Sequence, residues 1–392
     1  MSRSPISARR VSRSLISARV SRSPISARVS RRPLLILVLV AALIIAVVGA
    51  IALATRHGAS GPPFTGRLSA PGGGRHQRVT AWLTSTSPSL DGALKARALD
   101  EIDCDWYTIG ADGSVGTRAE NLGLVARARS RGLQVFATVT NRPDSRGSFT
   151  GAIARDILSS PTATQHAVQS LVQLAVGKGY DGIDIDWELV PVAERDAFSR
   201  FMGELATALH ARHRLLSVAV FPKTSEPGTW DSQKVFDYKA LGAAVDELKI
   251  MTYSDSGPWG APGPQAPLAW TRSVLSFANT LVPARKIFMG LPFYGFDWHG
   301  GTATALRAAD VAALVAAHHY TVAHDAASGE AELRYTDSTG QEHVLWYEDR
   351  QSIAAKVSLL HSRLPRIGGL AIWQLGGEDP GFWNVIEQTL TK

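Results

Sequence analysis

Residues 180–188 read Tyr-Asp-Gly-Ile-Asp-Ile-Asp-Trp-Glu, and this short run constrains the chain more than any other. Ile183, Ile185 and Trp187 alternate with Asp184, Asp186 and Glu188. Successive side chains of a strand point to opposite faces, so three acids share one face and three apolar groups the other. Alternate carboxylates then stand about 6.5–7 Å apart. At that range like charges raise one another's pKa, which helps keep one acid protonated at neutral pH. Such a strand suits a sheet whose inner side opens into a reaction site and whose outer side is covered by helices. Two other readings share the pattern. An acid row on a solvated sheet edge would alternate in the same way, but Trp and two Ile opposite it fit such an edge poorly. A divalent-metal site is the second; the spacing lacks the Gly at the sixth and the Glu at the twelfth place of the calcium loop.

From residue 79 onward, short apolar runs alternate with helical stretches. Strands are expected over 79–84, 102–109, 133–138, 180–187, 215–221, 247–253, 286–292 and 369–375. Helices are expected over 121–131, 161–178, 193–212 and 268–281, with Ser160 as cap and Pro161 at the first position of the second. Eight strands separated largely by helices predict an α/β fold, a parallel (β/α)8 barrel over 79–392. Reacting groups of such barrels lie at the C-terminal ends of the strands, where Glu188 falls. Residues 300–345 exceed a normal connection and predict a small α+β insertion between strands seven and eight.

Asp181-x-x-Asp184-x-Asp186-x-Glu188 resembles the Asp-x-x-Asp-x-Asp-x-Glu signature of the family 18 glycoside hydrolases, the chitinase-like enzymes. Met251-Thr252-Tyr253 resembles the Met-x-Tyr-Asp motif of the sixth strand, with Ser254 where the Asp falls and Asp255 one residue later. Pro292-Phe293-Tyr294-Gly295 and Gly369-Leu370-Ala371-Ile372-Trp373 resemble the ends of the seventh and eighth strands. Trp346-Tyr347-Glu348-Asp349 and Gly377-Glu378-Asp379-Pro380 resemble the bacterial branch of spore-cortex glucosaminidases and related cell-wall hydrolases.

The resemblance implies hydrolysis of β-1,4-linked N-acetylglucosamine-containing glycans with retention, the substrate's own 2-acetamido oxygen acting as nucleophile. It implies Glu188 as general acid and then base, and Asp186 on the acetamide N–H and the oxazolinium charge. Asp184 would sit deeper and hold Asp186. Tyr253 would contact the acetamide carbonyl and Trp373 would floor the sugar subsite; Tyr294 would line the cleft or pack beneath it, and Asp255 would bind substrate by taking the family Asp's assisting role through a bulge, unless that role is lost. Asp181 reads as structural, bonding backbone at the start of the strand. No metal or organic cofactor is required, and the partner is an N-acetylated polysaccharide, chitin or peptidoglycan. A catalytically silent, lectin-like protein on the same fold is the alternative.

The formal charge of +7 belongs to one end of the chain. Residues 1–32 hold nine Arg and no acid, so the other residues sum to 7 − 9 = −2. A nucleic-acid role for the folded part gains nothing from that balance. Ser-Arg-Ser-Pro-Ile-Ser-Ala-Arg occurs twice in this tail, which is expected to be disordered. Residues 33–54 carry no charge, and at about 1.5 Å each they would extend about 33 Å, enough to cross a bilayer. The Arg-rich side should stay cytoplasmic, which predicts a single-pass signal anchor with an extracytoplasmic enzyme; cleavage after 52 or 54 would give a secreted one. Residues 55–78 read as a Gly/Pro-rich linker. Cys104, the only cysteine, excludes an internal disulfide and reads as core. A monomer is expected.

Overall fold

The computed structural model describes residues 77–84, 94, 96–143, 147–361 and 366–391. The Arg/Ser tail, the apolar segment 33–54 and nearly all of the linker lie outside the described residues. Among the described residues no helix is long and apolar enough to cross a membrane.

Eight strands form the centre: β1 (Arg78–Thr84), β2 (Glu101–Ile109), β3 (Gln134–Thr140), β4 (Gly182–Asp186), β5 (Leu215–Val220), β6 (Glu247–Ile250), β7 (Ile287–Pro292) and β8 (Gly369–Trp373). Each pairs in parallel with the next, and β8 pairs back onto β1, so the sheet closes. A short strand, Val115–Thr117, runs antiparallel to the end of β2. The expected (β/α)8 barrel is the fold observed.

The outer faces of the strands meet the helices as the period of two requires. Ile183 and Ile185 are fully buried, and Trp187 stacks on Phe201 with centroids 5.0 Å apart. Phe201 belongs to the helix Arg195–His210, which also buries Phe198, Met202 and Leu205. Each large apolar side chain so buried contributes about 1.5–3 kcal/mol. Ser160 caps the helix Pro161–Gly177 by accepting from the Ala163 N–H at 3.3 Å, with Pro161 opening it. Cys104 is buried, and burial pushes its thiol well above the usual range.

Between β7 and β8 the chain builds a second, five-stranded antiparallel sheet. Its strands are Tyr294–His299, Thr302–Arg307, Ala323–His324, Ala331–Thr336 and Glu342–Tyr347, with the helix Ala308–His318 packed on it. The sheet begins at Tyr294, earlier than the expected 300, because β7 ends at Pro292 and only Phe293 intervenes. Lys356 pairs with Glu348 at 2.7 Å and Glu330 at 3.4 Å, all three buried. Glu330 also accepts from the backbone N–H groups of Gln265 and Ala266. This cluster fixes the loop after β6 against the inserted sheet.

Candidate active site

The strand β4 ends at Asp186, and Glu188 stands two residues beyond it, at the C-terminal mouth of the barrel. Asn141, just after β3, holds that extension. Its side-chain N–H donates to the Glu188 carbonyl at 2.7 Å, and its Oδ1 accepts from the Glu188 N–H at 2.9 Å. A carboxamide is the side chain that can do both at once. Leu189 follows with φ +55°, which turns the chain sharply after Glu188.

Asp184 lies deepest and is fully buried. Its Oδ2 accepts from the Trp82 indole N–H at 2.8 Å and the Thr138 hydroxyl at 3.0 Å, and its Oδ1 from the Ser217 hydroxyl at 2.5 Å. The Lys249 ammonium stands 3.8 Å away. Asp184 is therefore saturated with donors.

Asp186 is also buried, but its Oδ1 has no hydrogen-bond partner among the described residues. Burial pushes its carboxyl well above the carboxylate range, and repulsion from Glu188, Asp105 and Asp184 adds to this. Burial likewise pushes Glu188 up to about 7; Arg142 opposes the rise and Asp105 supports it. Two adjacent acids with raised values are the arrangement that acid–base chemistry at neutral pH needs.

A cavity of about 180 Å³ opens over these groups. Trp82, Arg142, Asp186, Glu188, Tyr253, Tyr294 and Trp373 line it, with Ala219 and Met251. Trp373 ends β8 and packs on Trp82, centroids 5.8 Å apart. The Trp373–Gln374 peptide is cis. Tyr253 stands edge-on to Tyr294 at 6.1 Å. Burial first, and then Tyr294, Asp186 and Glu188, push the Tyr253 phenol well up, so it stays a hydrogen-bond donor. Gly290 gives Tyr253 its room: a Cβ there would lie 2.9 Å from the Tyr253 ring and 2.4 Å from the Ile250 carbonyl.

Ser254, at φ +61°, shares a 2.7 Å hydrogen bond with the Tyr294 hydroxyl. Asp255 does not line the small cavity. It faces an adjoining one of about 880 Å³, together with Glu188, Tyr253, Trp230 and Trp259. The indoles of Trp230 and Trp259 are the most exposed large apolar groups among the described residues, at 69% and 71%. Asp181 bonds the Val135 N–H at 2.9 Å and Arg129 at 2.9 Å, away from the cavity, as a group that anchors the start of β4.

The sequence patterns brought Asp184, Asp186, Glu188, Tyr253, Tyr294 and Trp373 to one place. They missed Asn141, Arg142, Trp82, Thr138, Ser217 and Lys249. Asn141 and Arg142 follow directly after a strand end, where the barrel rule already points. Thr138 and Ser217 are polar residues on the inward side of otherwise apolar strands.

The family model for glycosyl hydrolases family 18 matches residues 93–378. The uncharacterized glycosylase YvbX of Bacillus subtilis is 31% identical over 314 residues, covering 79% of this chain and 90% of that protein. The cortical fragment-lytic enzyme of Bacillus anthracis is 31% identical over 286 residues, which is 71% of this chain and 65% of that enzyme. Among solved structures, a chitinase from Chromobacterium violaceum matches with TM-score 0.75 and 31% identity, over 81% of this chain and 99% of that one. The spore cortex-lytic enzyme SleL of Bacillus megaterium matches with TM-score 0.73 and 25% identity, over 81% of this chain and 75% of that one.

Proposed function

Because the chain belongs to family 18 of the glycosyl hydrolases, and is on that ground a glycosidase, we propose that it cleaves β-1,4-linked N-acetylated glycans by substrate-assisted catalysis. The observation that carries this reading is the orphaned Oδ1 of Asp186, buried beside Glu188 at the floor of the cavity. A buried carboxyl oxygen without a partner is costly unless a ligand supplies one. The N–H of a 2-acetamido group is such a partner, and it places the acetamide oxygen near the anomeric carbon.

In this reading the sugar rests on Trp373, whose flat face suits the apolar side of a pyranose. Glu188 protonates the leaving oxygen as the acetamide oxygen attacks the anomeric carbon. Asp186 accepts from the acetamide N–H and stabilises the cationic oxazolinium. The Tyr253 hydroxyl donates to the acetamide carbonyl. Water, deprotonated by Glu188, then opens the ring with net retention. Ser254 cannot supply the carboxylate that the family places there. Its hydroxyl instead fixes the Tyr294 phenol, so the acetamide pocket is closed by two tyrosines. The wider cavity with Trp230 and Trp259 takes the sugars beyond the scissile bond. Residues 33–54 tether the enzyme to the membrane with this domain outside, and the domain works as a monomer.

Glu188→Gln is the test. Turnover of N-acetylated chitooligosaccharides should fall roughly 10²–10⁴-fold while oligosaccharide binding, measured by calorimetry, persists. Undiminished turnover would overturn the role of Glu188.

A further inference from the structure

Arg142 is the only cation lining the catalytic cavity among the described residues, and nothing in the scheme above uses it. Its position is fixed. The guanidinium lies over the Phe149 ring, 4.0 Å from the centroid, and its chain neighbour Asn141 is clamped to the Glu188 backbone. Among the described residues the nearest acid is Asp105, but that contact is long, 3.9 Å, and Asp105 is already closely bonded to Arg118. Asp105 is therefore not a close partner of Arg142. About one fifth of the Arg142 side chain remains accessible.

The charge of Arg142 also works against the chemistry. It pulls the carboxyls of Glu188 and Asp186 down, whereas a general acid at neutral pH needs its value high. A cation that favours the ionised form of the acid in the free enzyme ceases to do so once an anion pairs with it. An acidic substrate would supply that anion. It would also need a donor of this kind, because Asp186, Glu188 and Asp255 at the mouth are carboxyls, which repel an anion whenever they ionise.

We propose that Arg142 is a specificity-determining residue that receives a carboxylate carried by the substrate, and so selects N-acetylated glycans bearing an acidic ether substituent, such as a 3-O-lactyl group, over the neutral polymer. The planar guanidinium fork matches a carboxylate with two parallel hydrogen bonds. The proposal rests on the glycosidase reading and narrows its substrate class from neutral or acidic glycans to acidic ones.

The experiment compares kcat/KM of the full chain on three substrates: a lactyl-bearing N-acetylated oligosaccharide, the same compound with its carboxylates amidated, and a neutral chitooligosaccharide of equal length. The wild type should prefer the free acid to its amide by about 10–100-fold, the range of a charge-assisted hydrogen bond. Arg142→Gln should collapse that ratio towards one, and Arg142→Lys, which keeps the charge but not the fork, should leave it intermediate. Because the ratio is taken within each variant, any general loss of activity cancels. Melting curves confirm that both variants fold. Equal preference in the wild type, or a ratio untouched by Arg142→Gln, overturns the assignment to Arg142 and leaves the glycosidase reading standing. Absence of turnover on all three substrates by the wild type overturns both.

Discussion

Strands β2 and β4 both carry acids at alternate positions. On β2 they are Glu101, Asp103 and Asp105; on β4 and its extension they are Asp184, Asp186 and Glu188. All six point into the barrel or its mouth, and their surroundings differ in one respect. Each β2 acid has a cation. Glu101 bonds Arg78 and meets Lys249 at 2.9 Å, Asp103 meets Lys249 at 2.6 Å, and Asp105 bonds Arg118. Lys249 and Arg78 outweigh the burial of Glu101 and hold it down to about 2. On β4 the compensation fades toward the mouth. Asp184 has three neutral donors and Lys249 at 3.8 Å, while neither Asp186 nor Glu188 has a close cation partner of its own among the described residues. Burial still pushes Asp103 well above the carboxylate range and raises Asp105, so the two strands differ in ion pairing: every β2 acid sits in a close ion pair, whereas Asp186 and Glu188 do not among the described residues. What separates them is the placement of three cations, Arg78, Lys249 and Arg118, not the acids themselves.

Removing the cation tests the lower half. Lys249→Met would leave Glu101, Asp103, Glu247 and Asp184 facing one another without their shared counter-ion. Breaking a buried ion cluster from one side costs roughly 3–5 kcal/mol, so the denaturant midpoint should drop sharply. A variant as stable as the wild type would mean that these acids are simply protonated and need no partner.

The opposite is expected at the mouth. Asp186→Asn removes a carboxyl that burial already disfavours as an anion, so unfolding should shift little or to higher temperature. Turnover should fall roughly 10²–10³-fold, the cost of losing one preorganised electrostatic partner. Parallel melting and kinetic measurements on the two variants set stability against activity directly. If Asp186→Asn unfolds as easily as Lys249→Met, the two strands are not divided in this way.

The alternation of Ile183, Ile185 and Trp187 with three acids was enough to orient β4, because a one-residue slip would bury the acids among the helices. The eight strands and the long helices were legible for the same reason: each is a period of two or of 3.6 with caps at its ends. The acids of β2 were equally visible, yet the run 102–109 reads as apolar, and only the closed barrel brings Lys249 and Arg78 to them. Arg142 and Asn141 were hidden for a different reason. Their roles depend on which strand end lies beside Glu188, and that neighbour relation exists only once β3 and β4 are paired. Ser254 was seen as a departure from the family motif. That its hydroxyl would meet Tyr294 required the inserted sheet to start at Tyr294, which no periodicity marked.

The mildest test leaves every residue in place and changes the proton concentration. Glu188 must be protonated to act as the general acid, and its value stands at about 7 because burial disfavours the anion. Activity is therefore present below that value and is lost as the pH rises through it, about tenfold per unit once the group is mostly ionised. The basic limb of kcat/KM should lie near 7, and Arg142→Gln should move it upward, since Arg142 is the group that holds Glu188 down. Stability follows the same sign. Relative to an unfolded carboxyl near about 4.3, the folded state holds this proton more tightly, so its contribution is complete in acid and fades as the pH rises through about 7. The interior acids of β2 impose no such limb of their own on turnover, because none lines the catalytic cavity. A rate profile flat from about 6 to about 9 would show that no required acid titrates in that range, and the division between the two strands would fail at the mouth, where it matters for catalysis.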